Sequence, residues 1–458
     1  MKKLISILLC AALCFALCAG FAACRFETDT PETPPGSDVE DEKNEDAVVN
    51  LTVGVLQGTY ERNIMLKWKN AFQREHPEVG IDISVTLGAM DDIVRFDSAG
   101  QLPDICWTAG DQHSPYSQEY FVDLSELEGA DAFFGGFYDA LIETTHATAT
   151  DDAVWFVPRD YNALVVYYNQ TLFEAAGVAL PQQGWTWTGF ENTCAQLMAS
   201  GQVLKAVEYD MVWPPFSLTM MANYGSKYFN DDGTIALRSD ETQACFNMLQ
   251  EFNTKYAQHG TGGGFAQYTE GSSKNIGMFI DVRPSLPEIA AVAAASGWKL
   301  GAVSFPNFKQ ADGSDGYVGV GCSGYAVTQK CAEDTAEYGG KTKQEWAWEF
   351  LRYCMSEEGY EEAATLGVLV PAIESLADKG SWREFEMNGV SVNPDAFVRT
   401  DATPIFLNYY TMHNPSQHAQ IITAGANFWR NVLPNGGTYT GSLEAYLQYM
   451  NDKTGIVE

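Results

Sequence analysis

Basic residues are scarce in this chain. Its 458 residues carry 27 Lys and Arg against 60 Asp and Glu, a formal net charge of -33. A phosphate-binding surface needs the opposite sign, which argues against nucleic acid as a partner. The acidity reads as a soluble, self-repelling surface. Histidine is rarer still, at His76, His113, His146, His259, His413 and His418, and neither HExxH nor a paired CxxC occurs. No transition-metal site is expected from such a set, and no cofactor either. A Walker motif is missing, so any nucleotide hydrolysis belongs to other subunits, and no nucleophile motif is found. Aromatic residues are plentiful instead, with 11 Trp and 22 Tyr, in a chain long enough for two globular lobes.

Lys2 and Lys3 precede an apolar run from Leu4 to Cys24, the order of an export signal. Length alone also permits a membrane-spanning helix. The end of the run decides, because Phe21-Ala22-Ala23-Cys24 resembles a bacterial lipobox. In that motif the cysteine sulfur takes a diacylglyceryl group before cleavage, although Phe21 stands where Leu is usual. The resemblance implies a signal peptide over 1–23 and lipid on Cys24, with enough acyl chains for stable anchoring. Secretion with cleavage after Ala22 and a retained helix are the competing readings. Residues 25–47 are rich in Pro, Thr, Ser and acids and poor in large apolar side chains. Residues 24–47 are therefore expected to be a lipidated Cys and a disordered acidic spacer. The remaining cysteines, Cys106, Cys194, Cys245, Cys322, Cys331 and Cys354, sit mostly in apolar periodic segments and are expected as buried thiols. A Cys322–Cys331 disulfide is the alternative.

Leu51, Val53 and Val55 alternate as a strand, a helix is expected from about Arg62 to Glu75, and Ile81 to Leu87 alternate again. This is a βαβ unit with parallel strands. Leu102 to Trp107 reads as a third strand. Ligands of open α/β sheets sit beyond the carboxyl ends of strands, and two such ends carry Tyr60, Glu61, Trp107 and Asp111. Further on, Ala163 to Tyr168 is a continuous apolar run, as in a strand buried on both faces. Gly177 ends a helix. Thr188 and Glu191, and later Thr342 and Glu345, have the spacing of capping boxes. Helices are also expected over Asp240–Gln258, Ile421–Leu433 and Leu443–Met450.

Three stretches together resemble the family-1 extracellular solute-binding proteins, the maltodextrin-binding type. The first is Pro103-Asp104-Ile105 with Trp107. The second is Trp155 to Asn162, running into Val165 to Asn169 and on to Trp185-Thr186-Trp187. The third is Gly277 to Arg283, followed by Phe305-Pro306 and the Gly-rich Gly319 to Gly324. Their order and spacing cover nearly the whole chain after the leader. The resemblance implies an α/β, two-lobed periplasmic-binding-protein-like fold of type II, in which the lobes close on ligand about a hinge. Crossings are expected near Asp160–Ala163, Ala302–Phe305 and Leu369–Ala372. Lobe 1 would be 48–160 with 304–370, and lobe 2 would be 161–303 with 371–458.

A sugar offers apolar C–H faces that stack on aromatic rings and hydroxyls that need planar polar partners. Trp107 with Asp111 is the best such pair, and the resemblance places ligand contacts there. Asp160, Tyr161 and Asn162 lie at the first expected crossing. Trp213 sits in an aromatic, Pro-rich loop that related proteins turn to ligand. Asp281 and Arg283 form either an internal ion pair or a ligand contact, and Pro284-Ser285 stands where the family often has a Trp. Gly321 and Ser323, Tyr410 and His413 complete the candidates. Trp185, Trp187, Trp298, Trp346, Trp348 and Trp429 are read as structural.

The resemblance implies a receptor of a bacterial ABC importer, not an enzyme. It would capture a sugar or oligosaccharide outside the cell membrane, held there by its lipid, and hand it to the permease subunits. A monomer is expected, since no coiled coil is visible. The alternatives are a binding protein for a peptide, polyamine or organic ion, or a surface glycoside hydrolase, whose carboxylates would also suit an aromatic cleft.

Overall fold

Alternation builds the first strand, β1 (Val49–Leu56), in which Val49, Leu51, Val53 and Val55 are all buried. Helix α1 (Thr59–Glu75) follows and buries Ile64, Trp68 and Phe72 on one stripe. Strand β2 (Val79–Leu87) returns parallel to β1, with Val49 opposite Val79. Strand β3 (Ile105–Ala109) joins the other side of β1, also parallel. The computed structural model describes residues 39–88, 92–110, 112–259, 275–309, 313–398, 402–406, 408–432 and 441–457. Cys24, the leader and Asp111 lie outside these described residues.

The chain then runs through β4 (Val157–Pro158), β5 (Asn162–Ala163), β6 (Val165–Asn169) and α2 (Gln170–Ala176), which Gly177 ends in the left-handed conformation. Next come α3 (Trp187–Ser200), β7 (Lys205–Tyr209), α4 (Pro214–Asn223), α5 (Asp240–Lys255), β8 (Ala257–His259) and β9 (Ile276–Asp281). They are followed by α6 (Leu286–Ser296), β10 (Leu300–Ser304), β11 (Tyr317–Gly321) and β12 (Ser323–Val327). After α7 (Lys343–Cys354) and α8 (Glu357–Ala364) the chain ends in β13 (Thr403–Phe406), α9 (Asn408–His413), α10 (His418–Val432) and α11 (Leu443–Thr454).

Two five-stranded sheets, each flanked by helices, make the two lobes. The first has the order β2-β1-β3-β12-β4 and the second β10-β6-β9-β7-β8. The chain leaves the first sheet after β4 and enters the second at β6. Between them Asp160 bridges to Pro371, and the Tyr161 N–H donates to the Val370 carbonyl at 3.0 Å. A third sheet, β13-β11-β5, sits at this passage. Segment 304–321, expected with lobe 1, includes β11, which pairs with β5 and β13 and packs under α4. A Cβ on Gly319 would stand 2.4 Å from the Pro215 carbonyl oxygen, so only glycine admits the helix this close. The chain re-enters the first sheet at Ser323.

Several expectations are corrected. Helix α1 starts at Thr59, which puts Tyr60 and Glu61 in its first turn rather than in a loop. The cap of α3 is Thr186, whose hydroxyl accepts from the Gly189 N–H, so Thr188 lies inside the helix. The Thr342–Glu345 capping box is present. Helix α5 stops at Lys255, and Ala257–His259 form a strand instead. All six described cysteines are free thiols.

The acidic spacer is also corrected over its described part. Lys69 is fully buried on α1, where an ammonium needs acceptors. Asp41 stands 2.5 Å from its Nζ, and the Glu42 carbonyl accepts from it at 2.8 Å. Asn70 donates to the Glu40 carbonyl at 2.7 Å, and Asn44 to the Val79 carbonyl at 2.8 Å. Residues 40–44 are thus strapped to α1 and β2 by polar contacts that apolar counting does not register.

Candidate functional site

Where β3, β11 and β12 meet the start of α4, a cavity of about 310 Å³ opens, within the size range of small-molecule sites. Strand β3 brings Trp107 and Ala109, and the turn after it brings Gly110 and Gln112. The crossing contributes Asn162. The junction of β11 and β12 contributes Gly321, Cys322 and Ser323, and Phe406 and Asn408 come from β13 and α9. Trp213 and Pro214 arrive from the start of α4. The loop is preset there: the Asp210 carboxylate accepts from the Val212 N–H at 2.7 Å, and two prolines fix the first turn. A Cβ on Gly321 would lie 3.5 Å from the Trp213 ring and 3.7 Å from the Asn162 Cβ, so these three sit against one another.

Of the sequence candidates, Trp107, Asn162, Trp213, Gly321 and Ser323 come together at this cavity. Asp111 lies between two lining residues but outside the described ones. Asp160 lies behind the wall, fully buried, with Arg159 Nε donating to it at 3.1 Å and the Ser323 N–H at 3.3 Å. Burial pushes its carboxyl above the usual range, against the pull of the Arg159 charge. Glu61 grips the same buried guanidinium through two bonds of 2.5 and 2.7 Å. Tyr161 packs on Tyr138 and Phe406. The Tyr60 hydroxyl is buried without a hydrogen-bond partner among the described residues, and burial with the nearby Glu288 charge pushes it up to about 12.

Arg283 is committed elsewhere. It is 1% exposed, donates to the Gly367 and Trp382 carbonyls at 2.7 and 3.0 Å, and lies against the rings of Phe397, Trp382 and Phe385. Asp281 accepts from its neighbour Val282 N–H at 2.7 Å. Tyr410 is buried against Tyr228 and Phe229, and His413 stacks on Phe229. Neither lines the cavity.

Gln112, Thr144, Val282, Cys322, Phe406, Asn408 and Ile422 line the wall without having been singled out. Gln112 adjoins Asp111 and Cys322 sits between two named residues, so proximity could have found them. Thr144 and Ile422 come from distant helical segments and carry no local signal. No charged side chain lines the cavity among the described residues. None of their helices is long and apolar enough to cross a membrane, and no three His, Cys, Asp or Glu converge as metal ligands among them.

The pattern that defines the bacterial extracellular solute-binding proteins matches residues 67–387. Similar solved structures include the ABC substrate-binding protein Lmo0181 from Listeria monocytogenes in complex with cycloalternan. It is 16% identical, with a TM-score of 0.66 over 89% of this chain and 99% of that one. T. maritima MalE3 bound to maltose is 14% identical, with a TM-score of 0.67 over 89% and 100%. UgpB from Mycobacterium tuberculosis in complex with glycerophosphocholine is 17% identical, with a TM-score of 0.64 over 88% and 97%. At these identities the likeness is one of fold.

Proposed function

Because the chain belongs to the bacterial extracellular solute-binding proteins, we propose that it captures an uncharged carbohydrate in the cavity between its lobes and delivers it to the permease of an ABC importer. The observation that carries this reading is the cavity wall: two indoles beside amide and hydroxyl side chains, with no charge among its described residues. Rings receive the C–H faces of a sugar, and neutral polar groups receive its hydroxyls. An organic anion would be stripped of water there without a counter-charge, which is costly. A glycoside hydrolase needs two carboxylates flanking the bond it breaks, and none lines the described wall. On this reading the protein acts by binding alone.

Trp107, Asn162, Trp213, Gly321 and Ser323, with Asp111, form the contact set. Lobe 1 comprises 48–160 with the chain from Ser323 to 370, and lobe 2 comprises 161–303 with 371–458; β11 lies at the passage between them, and the lobes close by bending where the chain crosses. The protein works as a monomer, tethered to the outer face of the cell membrane by lipid on Cys24. Bound maltose and cycloalternan in similar folds support the sugar assignment.

Titrating the protein with mono- and oligosaccharides, spermidine and simple organic anions, followed by tryptophan fluorescence, tests this reading. Saturable binding of at least one sugar and none of the charged solutes is expected. Tight binding of a charged solute in place of every sugar overturns it.

A further inference from the structure

One thiol stands apart from the other described cysteines. Cys106, Cys194, Cys245, Cys331 and Cys354 are buried, and burial pushes their thiols well above the usual range. Such thiols are inert, because the thiolate is the reactive form and reagents do not reach it. Cys322 is only half-buried, and it lines the solute cavity in the link between β11 and β12. Its sulfur stands 3.4 Å from Thr144 Oγ1, on the same wall. Trp107 and Trp213 line the same space, so a group carried by that sulfur takes volume that a solute would need. The space is also one that an outside partner completes. The Trp107 indole nitrogen is buried with no hydrogen-bond partner among the described residues, in a residue only 5% exposed. Folded proteins rarely leave a buried donor in that state.

We propose that Cys322 is a modification site, at which a low-molecular-weight disulfide closes the cavity to solute. The Cys322 thiolate attacks one sulfur of the disulfide. A bond forms between those two sulfurs and the disulfide's own S–S bond breaks. The other half leaves as a thiolate and takes up the proton that Cys322 gave up. Cys322 is oxidised, and the leaving half is reduced. A second thiol reverses the exchange and reopens the cavity. The family is extracellular, and disulfides form and persist outside the cytoplasm. The loss of capture rests on the carbohydrate reading for its probe. The reactivity of the thiol does not, and it is testable without any sugar.

Two measurements decide it. The sugar-free full chain is treated with glutathione disulfide, and peptide mapping by mass spectrometry follows each of the six described cysteines. Cys322 is expected to take up glutathione at least about tenfold faster than each of the other five. Equal rates, or a slow Cys322, overturn the proposal, and that result needs no variant to fold. The second measurement is calorimetric titration with maltose and the other sugars of the panel above, before treatment, after it and after reduction with dithiothreitol. The affinity for a sugar that binds should fall at least about tenfold in the modified protein and return on reduction. In Cys322→Ser, glutathione disulfide should leave the affinity of the variant where it was. A sugar affinity that survives glutathione on Cys322, or a loss that persists in Cys322→Ser, overturns the proposal. A protein that binds no sugar at all removes the carbohydrate reading and leaves the ranking of the six thiols to decide this one.

Discussion

The ammonium of Lys69 and the carboxylate of Asp41 stand 2.5 Å apart, one fully buried on α1 and the other on the acidic arm that precedes the first strand. Burial pushes the Asp41 carboxyl up, but the bond and charge of Lys69, with Lys43 and Arg62, hold it below the usual carboxylate range. A depressed carboxyl stabilises the fold above its unfolded pKa and loses that contribution as pH falls through the folded one. Asp41→Asn is expected to cost about 1–2 kcal/mol at neutral pH, because Lys69 keeps two carbonyl acceptors. Thermal melts at pH 7 and pH 3 check this. The gap between variant and parent should narrow at the lower pH.

Asp281 and Glu288 behave in the opposite sense. Burial pushes Asp281 up to about 6, with the Asp210 charge adding to it, and pushes Glu288 up to about 7, with the Asp281 charge adding there. The folded state therefore holds protons that the unfolded chain releases at lower pH. Their contribution is fully present below the unfolded carboxylate pKa and is lost as pH rises through 6 to 7. The melting temperature is expected to fall between pH 5 and pH 8. The double variant Asp281→Asn, Glu288→Gln should flatten that fall, and an unchanged slope would count against these shifts.

Glu61 belongs to the framework rather than to the ligand. Glu61→Gln removes half of its charged fork with a buried guanidinium and is expected to cost about 3 kcal/mol of stability. Sugar affinity, measured by titration well below the melting temperature, should change by less than about fivefold, as Glu61 does not line the cavity.

Trp213→Ala should divide the effects the other way. The indole lies over Gly321 at the cavity and is only partly buried. A tenfold or greater loss of sugar affinity is expected, about 1.4 kcal/mol or more, with a small change in melting temperature. Calorimetric titration beside a thermal melt separates the two.

Period-2 and period-3.6 patterns located β1, α1 and β2 because each buries a regular stripe that one sequence displays in full. Caps were legible where a side chain answers a neighbour three residues on, as Thr342 and Glu345 do. At Thr186 the same logic failed by two residues, because two threonines compete in one short stretch. The docked arm escaped notice because its reason is a lysine some thirty residues away, and a buried lysine looks like an exposed one in sequence. Arg283 was read beside Asp281 because they adjoin, yet its partners lie at Gly367 and Trp382. The cavity was legible at Trp107, Asn162 and Ser323, where motifs mark strand ends and crossings. Thr144 and Ile422 reach it only through tertiary folding.

The clasp that Arg283 makes has a mechanical consequence. It rivets the end of β9, in the second sheet, to Gly367, a few residues before the segment that pairs with Asp160 and Tyr161. Flexure between the halves is then steered to the two remaining links, 158–162 and 321–323, which also carry Asn162 and Ser323 to the solute. Loosening the rivet with Arg283→Met should broaden the range of open shapes seen by small-angle scattering and weaken capture without removing a single ligand contact. Under the proposed function the parts that bend are also the parts that touch, which would set the grip and the swing of the jaws by the same few residues.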